Sequence, residues 1–427
     1  MTVGPHSTLR QQLAAVANGR TSVYRLAQQM IERIAERDTQ VRAFEYIDTA
    51  KALRRAKALD AGPAQPYRGL IFAVKDNYDT HDMPTAYGSA IHAGAQPPRD
   101  AALVAALRIQ GGLLLGKTVT TEFAHRCPGP TTNPWNAAHT PGGSSSGSAA
   151  AVAAGFVALA LGSQTTGSVI RPAAYCGAVG YKPTYGDLNT SGMLANTPSF
   201  DTAGLFARHI DDLVLARAAL LGDSHAPLSP PPIERMRIGL SRSPWWQQAD
   251  ADARTHLHDA ARVLRAGGAE IIEFDDDPFF VDLETHNRTV SGFEFARTLA
   301  HERLYAEDAL SSDLRDGRMR DGLEGDYETY ITAQARLEQA RLAMDERMDR
   351  LDVLITLPAP GAAPAGLGST GPATFNMAWT TLHMPALTLP LYTSAAGLPI
   401  GLQVCAKRRR DRHLLAHGLA LTAALGG

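Results

Sequence analysis

Gly69-Leu-Ile-Phe-Ala-Val-Lys-Asp-Asn77 decides the architecture. Leu70 to Val74 is an unbroken apolar run bounded by Gly69 and by the polar Lys75-Asp76-Asn77. Such a run is too short for a helix and reads as a strand covered on both faces. Downstream, Asp100 is in position to cap a helix carrying Leu103, Ala106 and Leu107, which Gly111-Gly112 would end. Leu113-Leu114-Leu115 is then a second short buried strand. Strand, helix, strand in this order predicts an α/β sandwich with a largely parallel sheet.

Upstream, Thr21 or Ser22 can cap a helix with Val23, Leu26, Met30 and Ile34 on one face, and a second helical stretch runs from about Ala50 to Leu59. Downstream, the Gly/Ser run Pro141-Gly-Gly-Ser-Ser-Ser-Gly-Ser148 leads into Ala-rich apolar sequence up to Leu161. Its small residues predict a helix packed close to its neighbours. A flexible linker fits poorly, because the apolar sequence that follows must be buried. A second Gly/Ser/Thr loop covers Gly162 to Pro172, and the Pro-rich stretch Ser224–Pro232 is the best candidate for a subdomain joint. Residues 251–349 read as mostly helical, with Leu337, Met344, Met348 and Leu351 on one face, before a core strand at Val353-Leu354-Ile355.

Composition narrows the class. The 427 residues include 41 Lys+Arg and 43 Asp+Glu, a net charge of −2, with 44% hydrophobic residues. The apolar fraction supports a core, and the neutral balance argues against a nucleic-acid partner. No apolar run reaches the ~20 residues of a membrane span, and the stretch Met1–Gly19 lacks a signal-peptide pattern. Cys127, Cys176 and Cys405 are too few and too scattered for a disulfide framework or a cysteine-based metal site, which fits a reducing, cytoplasmic setting.

Two familiar catalytic signatures are missing: there is no His-Glu-x-x-His and no Cys-x-x-Cys. The run 142–148 lacks the Gly-Lys-Ser/Thr ending of a phosphate loop, so a phosphate-binding module is a minor reading. What stands out is a constellation: Lys75 closing a buried strand, Ser144 in the first Gly/Ser loop and Ser168, 24 residues on, in the second. A serine hydroxyl is a weak nucleophile and needs a base; a lysine made neutral by burial can be that base through a second hydroxyl. Taken singly, each residue reads as a loop serine or a surface lysine.

Together with their flanks they resemble the amidase signature family, the Ser-cisSer-Lys hydrolases. The matching stretches are Gly69–Asn77, Gly116–Ala124, Pro141–Ala150, Gly167–Ala173, Cys176–Thr184 and the closing Gly397-Leu-Pro-Ile-Gly-Leu-Gln403. The resemblance implies one α/β/α domain over 1–427 around a large mixed sheet. It would comprise a helical segment (1–60), a catalytic core (61–223), a helical insertion shaping the pocket (224–350) and closing strands and helix (351–427). It also implies Ser168 as nucleophile, Ser144 as bridging serine on a cis peptide, Lys75 as base, and the backbone N–H groups of Thr165, Thr166, Gly167 and Ser168 as oxyanion hole. Gly143, Ser145, Gln164 and Arg171 would support the two loops. No cofactor or metal is implied. The expected substrate is a small amide or carbamate, and the expected state a monomer or homodimer.

The sequence departs from the family pattern at several places. Gln164 stands for the usual Asp and Thr166 for a Gly in the nucleophile loop, Arg171 follows Ser168 by three residues where two are frequent, Ser146 stands for a Gly, and Ile71 for a Pro. The alternatives in reaction are hydrolysis of carbamates or urea derivatives, or service as the amidase subunit of a tRNA-dependent amidotransferase. A non-catalytic scaffold is the rival from another class. Segments near 125–136, 187–200 and 280–335 are expected to line the substrate pocket. His413 and His417, four apart, read as exposed helix residues, Trp245-Trp246 as pocket or packing, and Lys407–Arg410 as a solvated turn.

Overall fold

The computed structural model describes residues 7–223, 225–274, 280 and 282–426; Met1–His6 and Ser224, on which parts of the N-terminal and Pro-rich readings rest, lie outside them. Among the described residues the strands are β1 (Phe44–Ile47), β2 (Ile71–Lys75), β3 (Leu113–Thr118), β4 (Leu159–Gln164), β5 (Val179–Lys182), β6 (Thr202–Ala207), β7 (Arg237–Leu240), β8 (Glu270–Glu273), β9 (Val353–Thr356), β10 (Ala386–Thr393) and β11 (Pro399–Cys405). They form one sheet in the order β1-β3-β2-β4-β6-β5-β10-β11-β9-β7-β8.

The sheet is mixed, which corrects the largely parallel reading of the strand–helix–strand pattern. β3-β2-β4 and β9-β7-β8 run parallel, while the remaining pairs are antiparallel. The difference comes from connections the local pattern does not show. β10 and β11, for example, are joined over Ser394–Leu398, too short for the crossover that a parallel pair requires.

β2 is fully buried, and its side chains alternate between two cores. Phe72 and Val74 join one with helices Ala102–Ile109, Ile210–Leu221, Ala251–Ala266 and Asp411–Ala424. Ile71 and Ala73 join the other with helices Val23–Val41, Thr49–Ala61 and Ser146–Ala153. The result is an α/β/α sandwich. The helix Ser146–Ala153 is buried from Ser146 to Val152, as its small residues predict. A Cβ on Gly147 would collide with the Ala43 carbonyl and the Val119 amide. Gly147→Ala is therefore expected to destabilise the protein by about 3 kcal/mol, read as a lower denaturation midpoint.

Ser22 caps its helix, accepting from Arg25 N at 3.1 Å. Asp100 does not cap: the helix starts from Ala101 without a side-chain cap, and Asp100 instead accepts from His81 N at 2.9 Å and pairs with Arg108. β7 and β8 were not anticipated, and the Pro-rich stretch before β7 connects elements of the same sheet. His417 is buried and His413 half-buried, their rings 3.8 Å apart at the centroids, which corrects the exposed reading. Trp245 and Trp246 pack against the core. In the turn after β11, Lys407 and Arg408 pair with Asp349 and Asp345.

Candidate functional site

The alternation along β2 sends Lys75 to the face where the Ser144–Ser145 loop enters its helix. Lys75 Nζ, fully buried, donates to Ser144 Oγ at 2.7 Å and to Ser163 Oγ at 2.9 Å. Asn77 Nδ2 donates to the same Ser163 hydroxyl at 3.0 Å. The Gly143–Ser144 peptide is cis. Burial brings the Lys75 ammonium down to about 7, opposed by the charge of Asp201. No carboxylate pairs directly with Lys75 among the described residues; the neighbouring buried pair, Lys117–Asp76 at 2.8 Å, engages a different lysine.

Ser168 lies between β4 and the helix Ile170–Cys176 and is 8% exposed, on the wall of a cavity of about 770 Å³. Its hydroxyl has no hydrogen-bond partner among the described residues, so Lys75 and Ser144 are in contact while Ser168 is not joined to them. Such contacts are often open in an unliganded site and tighten on binding. The N–H groups of Thr165, Thr166, Gly167 and Ser168 likewise have no partner among the described residues, leaving four amides in one loop beside the cavity.

The departures at this loop have structural answers. Gln164 Oε1 accepts from Val169 N at 2.8 Å and Ile170 N at 3.0 Å, while its Nε2 donates to Thr380 Oγ1 at 2.8 Å. A neutral amide can accept and donate at once, which a carboxylate cannot. Thr166 keeps a negative φ, which suits a β-branched residue, and its carbonyl accepts from Thr380 Oγ1 at 2.7 Å. Gly167 is sterically required, since a Cβ there would collide with the Asn376 carboxamide.

Arg171 reaches the first loop despite its shifted spacing. It donates to Gly143 O at 2.6 Å, to Gly371 O at 2.5 Å and to Thr370 Oγ1 at 3.2 Å. Gly143 itself packs against Thr370, where a Cβ would come within 2.7 Å. Ser145 Oγ donates to Ser163 O at 3.2 Å, tying this loop to β4. Arg171→Ala is expected to cost about 2 kcal/mol in stability, measured by denaturant unfolding, because two buried carbonyls lose a charged donor. Arg171→Lys is expected to recover only part of this, since one ammonium lacks the fork that reaches both carbonyls.

Several members of the site were missed in the sequence. Ser163 and Asn77 flank Lys75. Asp201 accepts from Thr165 Oγ1 at 2.5 Å and from the amides of Asn196 and Thr197 at 2.6 and 2.9 Å. Burial raises its carboxyl to about 6. Of the segments expected to form the pocket, 280–335 lines it through residues 284–321. Only His125 and Arg126 of 125–136 and Asn196 of 187–200 take part, and the unexpected segment 368–374 closes one side. Residue 281 lies outside the described residues. Cys176 is buried, its Sγ against Pro141 O at 3.3 Å, and burial pushes its thiol up, so it is a packing residue.

Comparison with known proteins shows the family of the chain. The family model described as Amidase matches residues 25–415. The glutamyl-tRNA(Gln) amidotransferase A-subunit of Thermobifida fusca (strain YX) is 38% identical over 336 residues, 73% of this chain but 64% of that protein, less than two thirds of its length. Its counterpart of the same name from Acidothermus cellulolyticus is 33% identical over 96% of this chain and 93% of its own. Among solved structures, one described as an amidase superimposes with a TM-score of 0.89 at 28% identity, covering 98% of this chain and 99% of that one. The peptide amidase of Stenotrophomonas maltophilia superimposes with a TM-score of 0.86 at 25% identity, covering 99% and 97%.

Proposed function

Because this chain belongs to the amidase family, we propose that it is a serine amidohydrolase, cleaving a carboxylic amide C–N bond through Ser168, Ser144 and Lys75 by way of an acyl-enzyme. The observation that carries the reading is the 2.7 Å contact from Lys75 Nζ to Ser144 Oγ in a site where burial brings the lysine to about 7. A lysine of that kind is half neutral at working pH and serves as a base without histidine.

In this scheme Ser168 Oγ attacks the substrate carbonyl, its proton passes to Ser144 Oγ, and the Ser144 proton passes to neutral Lys75. The developing oxyanion is held by the N–H groups of Thr165 to Ser168. A preorganised donor of this kind contributes about 3 kcal/mol to transition-state stabilisation. The relay then runs backwards and protonates the leaving nitrogen. The amine departs, leaving an ester on Ser168, and water, activated by the same relay, clears it. No step calls on a metal or cofactor.

The triad attacks a carbamate or urea carbonyl by the same steps, so these stand as the alternative substrates. The names of the curated relatives support a second reading, the amidase component of an amidotransferase. As a free-standing enzyme, monomeric or homodimeric, the protein would act on small molecules in the cytoplasm. Its free cysteines suit a reducing compartment, and among the described residues no helix is long and apolar enough to cross a membrane. The test is release of ammonia, amine or, from esters, alcohol by the purified chain alone from a panel of amides, anilides, esters and carbamates. Turnover of amides without any partner protein supports the reading; release only with added partner proteins and a glutamine donor would favour the amidotransferase, and no release under either condition would overturn both.

A further inference from the structure

The cavity beside Ser168 carries a charge arrangement that amide hydrolysis does not require. Arg318 lines it from the segment Leu314–Met319, part-buried. Its one hydrogen bond among the described residues is a long one, Nη1 to the Asn196 carboxamide oxygen at 3.4 Å, and its guanidinium lies 6.0 Å from the Phe295 ring centroid. It pairs with no carboxylate among the described residues. Among the neighbouring arginines, Arg288 grips Asp321 at 2.7 and 3.0 Å and Arg171 is held by loop carbonyls, while the exposed Arg320 makes no ion pair among the described residues. Arg126, exposed on the same cavity, also makes no ion pair among the described residues.

The guanidinium groups of Arg126 and Arg318 act on each other. Burial and the charge of Arg126 lower Arg318 to about 10, and burial together with both charges holds His125 neutral. The charges of Asp201 and Asp321 oppose part of the effect on Arg318, but neither pairs directly with it, and a bound carboxylate would supply that partner. Arg318 is also tied to the reacting loop: Asn196 N donates to Asp201 Oδ2 at 2.6 Å, and Thr165 Oγ1 donates to Asp201 Oδ1 at 2.5 Å.

We infer that the substrate is an amide bearing a carboxylate, which Arg318 and Arg126 bind in the same cavity that presents its scissile carbonyl to Ser168. A planar guanidinium matches a carboxylate in two parallel hydrogen bonds. The exposed acids of the cavity, Glu284, Asp313 and Asp316, disfavour a dianion such as a phosphate monoester. The inference rests on the hydrolase reading above and deepens it.

The test compares succinamate, glutaramate and adipamate with butanamide, pentanamide and hexanamide, and N-acetylglycine with N-ethylacetamide. The pairs place the carboxylate on either side of the scissile bond. Rates are normalised to the fraction of enzyme that a fluorophosphonate labels at Ser168. The expected result is a preference of at least tenfold in kcat/KM for one or more carboxylate-bearing partners. Arg318→Gln is expected to cut that preference by tenfold or more, and Arg318→Lys to restore part of it. Labelled enzyme that shows no preference in any pair, or a preference untouched by Arg318→Gln, overturns the inference and leaves the hydrolase reading standing. Absence of Ser168 labelling overturns the hydrolase reading and the inference with it.

Discussion

Ser168→Ala is expected to lower kcat/KM for amide hydrolysis by about 10⁴-fold or more, with the fold intact by circular dichroism. The size follows from the role: without the hydroxyl no acyl-enzyme forms, and what remains is substrate binding and the loop amides acting on a water. Those amides belong to the backbone and survive the substitution, so a small residual rate above the uncatalysed reaction is expected. Ser168→Ala truncates a residue only 8% exposed by one oxygen atom, which the structure tolerates at little cost in stability. A variant that folds and retains more than a tenth of wild-type activity would remove Ser168 from the chemistry.

Lys75→Met is expected to lower kcat/KM by about 10³-fold, the scale of general-base catalysis. Methionine keeps the volume of the buried stem and removes the amine. The pH dependence separates this role from a structural one. Lys75 acts as a base only when neutral, and burial places its protonation near 7. The wild-type kcat/KM should therefore be nearly level above that pH. It should fall with acidity, to roughly a tenth at pH 6 and a hundredth at pH 5, as the neutral fraction drops tenfold per unit. In Lys75→Met this inflection should vanish from the residual activity. A wild-type rate flat from pH 5 to 9 would contradict the assignment of Lys75 as base.

What the sequence shows about this protein follows the range of the forces involved. The buried strand was legible because Leu70–Val74 is apolar without interruption, and the helix at Val23 because Ser22 and a clean apolar stripe mark it. The Lys75, Ser144 and Ser168 constellation was legible because its flanks are as specific as the residues. The partners that finish the site were not. Ser163, Asn77, Asp201 and Thr380 are ordinary polar residues whose roles come from where the strands and loops bring them together. β7 and β8, four residues each, lie on either side of a long helix, and β8 reads Glu-Ile-Ile-Glu, too short and too mixed to announce a strand. Asp100 has the composition of a cap, but Arg108 and His81 supply closer charged and backbone partners. His417 is buried because its helix carries apolar residues around much of its circumference, so no face is marked as the wet one.

The replacement at Gln164 is instructive for the same reason. From sequence it registers as a lost negative charge beside the nucleophile loop. In the fold it is the residue that caps the helix after Ser168 and braces Thr380 at the same time. The Asp201 carboxylate, reaching the loop from the strand side, supplies the negative charge that favours the protonated form of Lys75.

The most direct test of the central claim is covalent labelling with a fluorophosphonate, followed by mass spectrometry of the intact protein and its peptides. The account predicts one adduct per chain, located on Ser168, absent in Ser168→Ala and formed at a rate that rises with pH through about 7. An adduct on a different residue, or no adduct on folded protein above that pH, would contradict it.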